Sequence, residues 1–397
     1  VTVRPSPQVG TPAGMRVLNQ RAVLDRLRAG GPATRPQIAK DTGLSKPTVG
    51  QALLDLERRD LVRPIGRTTA GPGRSAMVYE TNPAAGHVLG VDIGRRRIRA
   101  AVADLAGSVI ARVDERNRCR TATTLVRTVK ELAARTVADA GLVAEDVVVT
   151  VVGTPGVPDR SDRTLRHAPN LPGWERRGLL DDLEAELGPG LVVVENDANL
   201  AAVGEYAHGA ARGVGVFVCL TVGTGLGMGI MVEGHLFRGA NGAAGEVGYL
   251  PYGAEESVVD DLGRGRIEAA VSGDAVVALA RDRGLAVKSA REVFALAKSG
   301  DERARAVVAA EADRLAHVVA SVAAVVDPEL VVLGGGVGGS ADLLPGPIEE
   351  ALCRITPLRP RVVAGALGDG AVLGGAIARA LVSANDLVFD RKDAVTV

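Results

Sequence analysis

TRPQIAKDTGLSKPTVGQALLDLERR, residues 34–59, holds two helix starts and the stop between them. Thr34 can cap a helix with Pro36 in its first turn, and Gly43 breaks it after Ile38 and Ala39 have packed inward. The turn is DTGLS. Ser45 then caps a second helix, again with proline (Pro47) in the first turn, whose buried side is expected from Val49, Leu53, Leu54 and Leu56. Helix, tight turn and helix make a helix-turn-helix, in which the start of the second helix enters the DNA major groove. Ser45, Lys46, Thr48 and Gln51 are the candidate DNA-contacting side chains, with Gln51 as base reader.

Upstream, Val17, Leu18, Val23, Leu24 and Leu27 form a helical stripe from Met15 to the Gly30-Gly31 breaker, which supplies a supporting helix. Downstream, LVRPIGRTTAGPGRSAMVYE reads as two strands around a Gly/Pro/Arg loop. That is the β-wing of a winged helix, with Arg67 and Arg74 placed near phosphate or the minor groove. The competing reading is a small helical interaction module with a solvated basic face.

Charge agrees with the first reading. The formal net charge is zero, yet residues 1–80 carry 13 Lys+Arg against 6 Asp+Glu, leaving 34 against 41 in the rest. A basic N-terminal part suits nucleic acid. Only six of the basic residues are lysines, so the excess also reflects a general preference for arginine. At 397 residues with 46% hydrophobic content, the chain is long enough for two or three domains. Cys119, Cys219 and Cys353 lie far apart without metal-ligand spacing, so neither a disulfide framework nor a cysteine metal site is expected. The opening residues lack an apolar signal core and no run of about 18 apolar residues follows, so a cytoplasmic location without membrane contact is expected.

From Pro83 the pattern changes. HVLGVDIGRRRIRAAVADLAG reads as strand, DIG turn, strand and turn, and four later apolar strands, VVVTVVGTPG, LVVVENDAN, GVFVCLTVGTGLGMGIMVEG and LVVLGGGVGG, end in glycine or acid turns with helices between. The class is α/β. Asp92 and Gly94, then Gly223, Thr224, Gly225 and Gly227, put small residues and backbone N–H groups at strand turns in two places, as a bilobed nucleotide cleft needs, although plain structural turns explain them too. Asn196 and Asp197 follow a buried strand, where the carboxylate can take a proton from an attacking hydroxyl or simply accept a sugar hydrogen bond. GGGVGG at 334–339 also fits the dinucleotide fingerprint, but no acid ends a strand about twenty residues on, so it carries little.

GVDIG at 90–94, APNLPGW at 168–174, ENDAN at 195–199, LTVGTGLGMGI at 220–230, GAAGEVGYLP at 242–251 and LGGG at 333–336 together resemble the ROK group (repressors, open reading frames and kinases) of the actin-like sugar kinases. With the winged helix, the resemblance is to the regulator branch. It implies an N-terminal winged helix-turn-helix over 14–80 followed by a two-lobed actin-like, ribonuclease-H-like ATPase or sugar kinase fold. Lobe 1 covers 86–200, completed by a C-terminal helix at about 372–390, and lobe 2 covers 201–371. It further implies a sugar pocket formed by Asn170, Asn196, Asp197, Glu246 and Glu268, with Gly335 on the adenosine side of the cleft. Members of the regulator branch are generally homodimeric, and higher oligomers remain open.

Two departures from the family pattern bear on function. Members carry zinc on a histidine, here Tyr249, and on three cysteines, whose places are taken by Val259, Asp261 and Arg266. Those side chains cannot replace thiolate and imidazole donors, so no metal is expected. Tyr249, at a position that touches sugar in the family, also alters ligand choice. Arg95 and Arg96 stand where kinases place Gly and Thr, crowding the turn that would cradle ATP phosphates. The expectation is a non-enzymatic repressor, released from operator DNA by a sugar or sugar derivative. The alternatives are an ATP-dependent sugar kinase with magnesium and Asp197 as base, or a ligand-independent DNA binder on a kinase-like scaffold.

Overall fold

A computed structural model describes residues 11–68, 75–159, 161–166, 168, 173–250, 265–338 and 343–394. The chain divides into two compact units, one of Val1–His87, Asp104–Ser108 and Ser383–Val397, the other of Val88–Ala103 and Val109–Val382.

In the first unit, three helices, Pro12–Gly30, Arg35–Thr42 and Lys46–Arg58, are followed by the hairpin Val62–Thr68 and Ala76–Thr81. The short strand Ala33–Thr34 pairs with Ala76–Thr81, making a three-stranded sheet. This is the winged helix-turn-helix arrangement, and its caps are local. Gln37 Oε1 accepts from the Thr34 N–H at 2.8 Å, Gly43 takes the left-handed conformation at φ 73°, and Ser45 Oγ accepts from the Thr48 N–H at 3.2 Å. Val23, Leu24, Leu27, Ile38, Val49, Leu53 and Leu56 form the core. Leu18 and Leu54 do not join it, being 44% and 47% exposed. The Val49–Leu53–Leu56 stripe already occupies the inward arc of its helix, and Leu54 lies about 100° around from Leu53.

The last helix, Ala371–Ala394, is longer than expected, and from Ser383 onward it belongs to the first unit rather than to the lobe it was assigned to complete. Arg59, 8% exposed, donates to Gln20 Oε1 at 3.0 Å and to the Phe389 carbonyl, and its guanidinium lies 4.5 Å from the centre of the Phe389 ring. Arg21 stacks on the same ring, and Arg28 donates to the Asn385 carbonyl at 2.7 Å. Two guanidiniums over one ring, with the Phe389 carbonyl accepting from Arg59, hold this end in the first unit. The segment Gly368–Arg391 is long and apolar enough to cross a membrane by length and composition, but Ala376, Ala380, Ala384 and Val388 within it are buried by the fold.

The second unit contains two five-stranded sheets. One has the order Leu191–Asn196, Val147–Thr154, His87–Ile93, Arg97–Asp104, Val109–Arg116, and the other the order His235–Leu236, Leu226–Val232, Val216–Val222, Leu330–Gly334, Arg361–Ala364. Leu191–Asn196 runs parallel to Val147–Thr154 in register Asn196↔Thr154, which carries the chain out at the strand end and straight into helix Asp197–His208. That helix crosses the last one closely. A Cβ on Gly204 would lie 2.3 Å from the Ala371 carbonyl oxygen, and one on Gly375 1.8 Å from that of Leu200, so only glycine permits the approach. This crossing and the buried Leu200, Ala201 and Ala202 fix the start of the Asp197 helix at the end of the sheet.

Candidate functional site

Helix Lys46–Arg58 of the first unit, with its cap Ser45, presents Ser45, Lys46 and Gln51 to solvent, with Thr48 half-buried. The Ser45 and Thr48 hydroxyls lie 2.7 Å apart. Gln51 Nε2 donates to Asp55 Oδ1 at 3.0 Å, so the candidate base reader is held along its own helix. Asp55 is the hub of this face: 6% exposed, it accepts two hydrogen bonds of 2.7 Å from Arg16 and one of 3.0 Å from Gln20. The Arg16 bonds lead in holding its carboxyl below the usual range. Arg67 is exposed on the hairpin and donates to Ser75 at 3.3 Å, whereas Arg74 lies outside the described residues.

The second unit encloses a cavity of about 630 Å3, a size common for small-molecule sites. Asp92, Gly94, Asn196, Asp197, Gly223, Thr224, Gly225, Glu246, Glu268 and Gly335 all line it, although they are scattered over more than 240 positions of the chain. Gly335 has φ 80°, and a Cβ there would come within 2.5 Å of the Val222 carbonyl oxygen. Asn170 lies outside the described residues; Trp174, four positions further on, is buried and donates from Nε1 to Thr154 Oγ1 at 2.7 Å.

One part of this lining is acidic. Burial first, then the neighbouring Asp197 and Glu268, push the Glu246 carboxyl up to about 7. Asp197, half-buried at the start of its helix, is also pushed up by burial, against the Ala198 N–H that donates to its Oδ1 at 2.9 Å. Glu268 Oε2 accepts from the Leu226 N–H at 3.2 Å, which ties helix Arg266–Val271 to the hairpin. Asn196 serves the backbone, its Oδ1 capping Asn199 and its Nδ2 donating to the Gly156 carbonyl, both at 3.1 Å. Tyr249 feels Glu246 and Glu268 after its own partial burial, and all three raise its phenol, yet it is 47% exposed and stands outside the cavity wall. Of the positions compared with zinc ligands, Tyr249 and Arg266 are described, and Val259 and Asp261 lie outside the described residues. Carboxylates, a helix start and glycine turns around a polar cavity suit the hydroxyl groups of a polyol.

Sequence reasoning missed Arg99. It reaches back from the strand after the DIG turn and donates from Nη1 to Asp92 Oδ2 at 2.8 Å, with Asp114 at 3.4 Å and Asp369 at 3.9 Å from its other nitrogens. Burial pushes the Asp92 carboxyl up to about 6 and the Arg99 guanidinium opposes that rise, so the pair is ionic at neutral pH. The adjacent pairing of strands His87–Ile93 and Arg97–Asp104 was the signal that could have found it.

A two-lobed α/β unit with glycine turns from both sheets facing one cavity defines the actin-like sugar kinase class. The ROK family model matches residues 88–382, and the chain belongs to the ROK family. Relatives of both kinds exist. Glucokinase of Thermotoga maritima is 31% identical over 280 residues, 66% of this chain and 86% of its own length. The xylose repressor of Caldicellulosiruptor bescii is 26% identical over 339 residues, 81% of this chain and 83% of its own. Among solved structures, a ROK family transcriptional regulator, a homologue of the E. coli MLC protein, superposes with TM-score 0.75 at 21% identity, covering 95% of this chain and 98% of its own. At that identity the likeness speaks for the fold.

Proposed function

We propose that this chain is a sugar-responsive transcriptional regulator, a repressor that leaves its operator when a sugar or sugar derivative fills the cleft. The observation that carries the reading is a winged helix-turn-helix with an exposed helix face, in the same chain as a carboxylate- and glycine-lined cleft whose Asp92 is already ion-paired to Arg99. A phosphoryl-transfer site needs carboxylates free to hold magnesium beside the phosphates. Asp92, committed to a guanidinium and set beside Arg95 and Arg96, fits that ion poorly. Two copies would set two reading helices on near-palindromic half-sites. The ligand must favour the released state by differential affinity, since equal binding to both states shifts nothing.

Asp197 keeps a second reading in play, because a carboxylate at the helix start in the cavity is suited to take a hydroxyl proton, and the relatives include glucokinases. ATP consumption by the full chain over a panel of sugars separates the two. The regulator reading expects no turnover, and a weaker sugar response of DNA binding in Asp197→Asn. Sugar-dependent ATP turnover that vanishes in Asp197→Asn would establish the kinase instead.

A further inference from the structure

Six cationic side chains line the same cavity as six carboxylates, and their engagement differs. Arg99 is committed to Asp92, and Arg97 to Asp114 at 2.5 Å. Arg95 and Arg96, on the turn after strand His87–Ile93, and Lys288 and Arg291, around the start of helix Ala290–Lys298, are exposed. None of these four makes a side-chain hydrogen bond or ion pair to another described residue. They come from two segments about 190 positions apart in sequence that line one cavity. Burial first, then the neighbouring Asp197 and Glu268, raise the Glu246 carboxyl, whereas Asp92 is paired with Arg99. Asp274 and Asp369 also line the cavity, and Asp369 lies near Arg99. Unpaired cations around one cleft cost repulsion, which an anionic ligand relieves.

We infer that this part of the cleft is a phosphate subsite that works without a divalent metal. A phosphoryl group of the bound ligand, carried by a sugar or by a nucleotide, is held by Arg95 and Arg96 on one side and by Lys288 and Arg291 on the other. Arg99 supplies at Asp92 the positive charge that a metal would otherwise bring. Guanidinium groups offer paired N–H donors that match phosphate oxygens, so the subsite binds without a tight backbone cradle. The inference rests on the cleft being a ligand pocket and is independent of DNA binding.

Calorimetric titration of the full chain in EDTA, at fixed salt, tests it with inorganic pyrophosphate, glucose 6-phosphate and ADP beside plain glucose. At least one phosphate compound should bind, magnesium should not tighten it, and the double variants R95A/R96A and K288A/R291A should each weaken it by about ten-fold or more. These four side chains are exposed, so the variants keep the fold. Arg127→Ala, a 69%-exposed arginine on helix Ala122–Asp139 outside the cavity wall, should bind like the parent. Tighter binding of the sugar phosphate or of ADP identifies which carrier brings the phosphate. No binding in EDTA, a requirement for magnesium, or equal losses in Arg127→Ala and the cleft variants would each overturn the inference. No phosphate binding in a protein whose DNA binding still responds to a neutral sugar would overturn it while leaving the regulator reading intact.

Discussion

Replacing Glu311 with glutamine should flatten the dependence of stability on pH between 4.5 and about 8. Glu311 lies on helix Glu302–Val326, is 0% exposed, and neither carboxylate oxygen has a hydrogen-bond partner among the described residues. Burial pushes its carboxyl from 4.5 up to about 8, with Arg314 weakly opposing. The folded state therefore keeps a proton that the unfolded chain sheds above 4.5. Linkage then makes stability fall as pH rises, by about 1.4 kcal/mol per unit, until the folded group ionises near 8. At pH 7 the accumulated loss is about 3 kcal/mol, a large share of the stability of an ordinary domain. Glu311→Gln carries no such slope, although its unpartnered amide lowers the baseline. Glu311→Leu removes both costs and should exceed the parent above neutral pH. Urea unfolding followed by circular dichroism and by the fluorescence of the single Trp174, at several pH values across this window, measures the slopes. Parallel pH curves for parent and glutamine variant would show that Glu311 is solvated or paired, and the reasoning would be wrong.

Three further outcomes are expected. Phe389→Ala removes the ring on which Arg21 and Arg59 stack and should destabilise the first unit by ~3–5 kcal/mol, seen as earlier proteolysis of the first unit at unchanged cleavage of the second. Sugar affinity should rise with pH through about 7, because an ionised Glu246 accepts two hydroxyls where the acid accepts fewer, and Glu246→Gln should remove that rise in titrations on either side of neutrality. Purified protein should hold far less than one zinc per chain by mass spectrometry; a stoichiometric ion would show that donors other than the family's cysteines complete a site.

Local chemistry was legible in the sequence. Thr34, Gly43 and Ser45 set helix ends through bonds spanning three or four residues, so their types announced the boundaries. The cavity lining was legible for a related reason: strand-end glycines and acids, such as Gly223 and Asp197, mark places where a backbone turns toward a cleft. Leu18 and Leu54 misled because an apolar side chain next to the stripe cannot be distinguished from one within it by hydrophobicity alone. What stayed hidden depends on segments distant in the chain. Nothing near Phe389 announces that Arg59, 330 residues earlier, bonds its carbonyl. Lys288 and Arg291 carry no motif, and only folding brings them to the cavity that Arg95 and Arg96 also line. Arg99 was closer to reach, since its strand adjoins that of Asp92, but the eye is drawn to the turn between them.

Fluorescence anisotropy on DNA from upstream of the chain's own gene, at fixed salt and with a titrated panel of sugars and sugar phosphates, bears most directly on the central claim. Specific binding that one of these ligands weakens, with no ATP consumed, is the predicted result. Specific binding that every ligand leaves unchanged, or no preference over unrelated DNA, would contradict it.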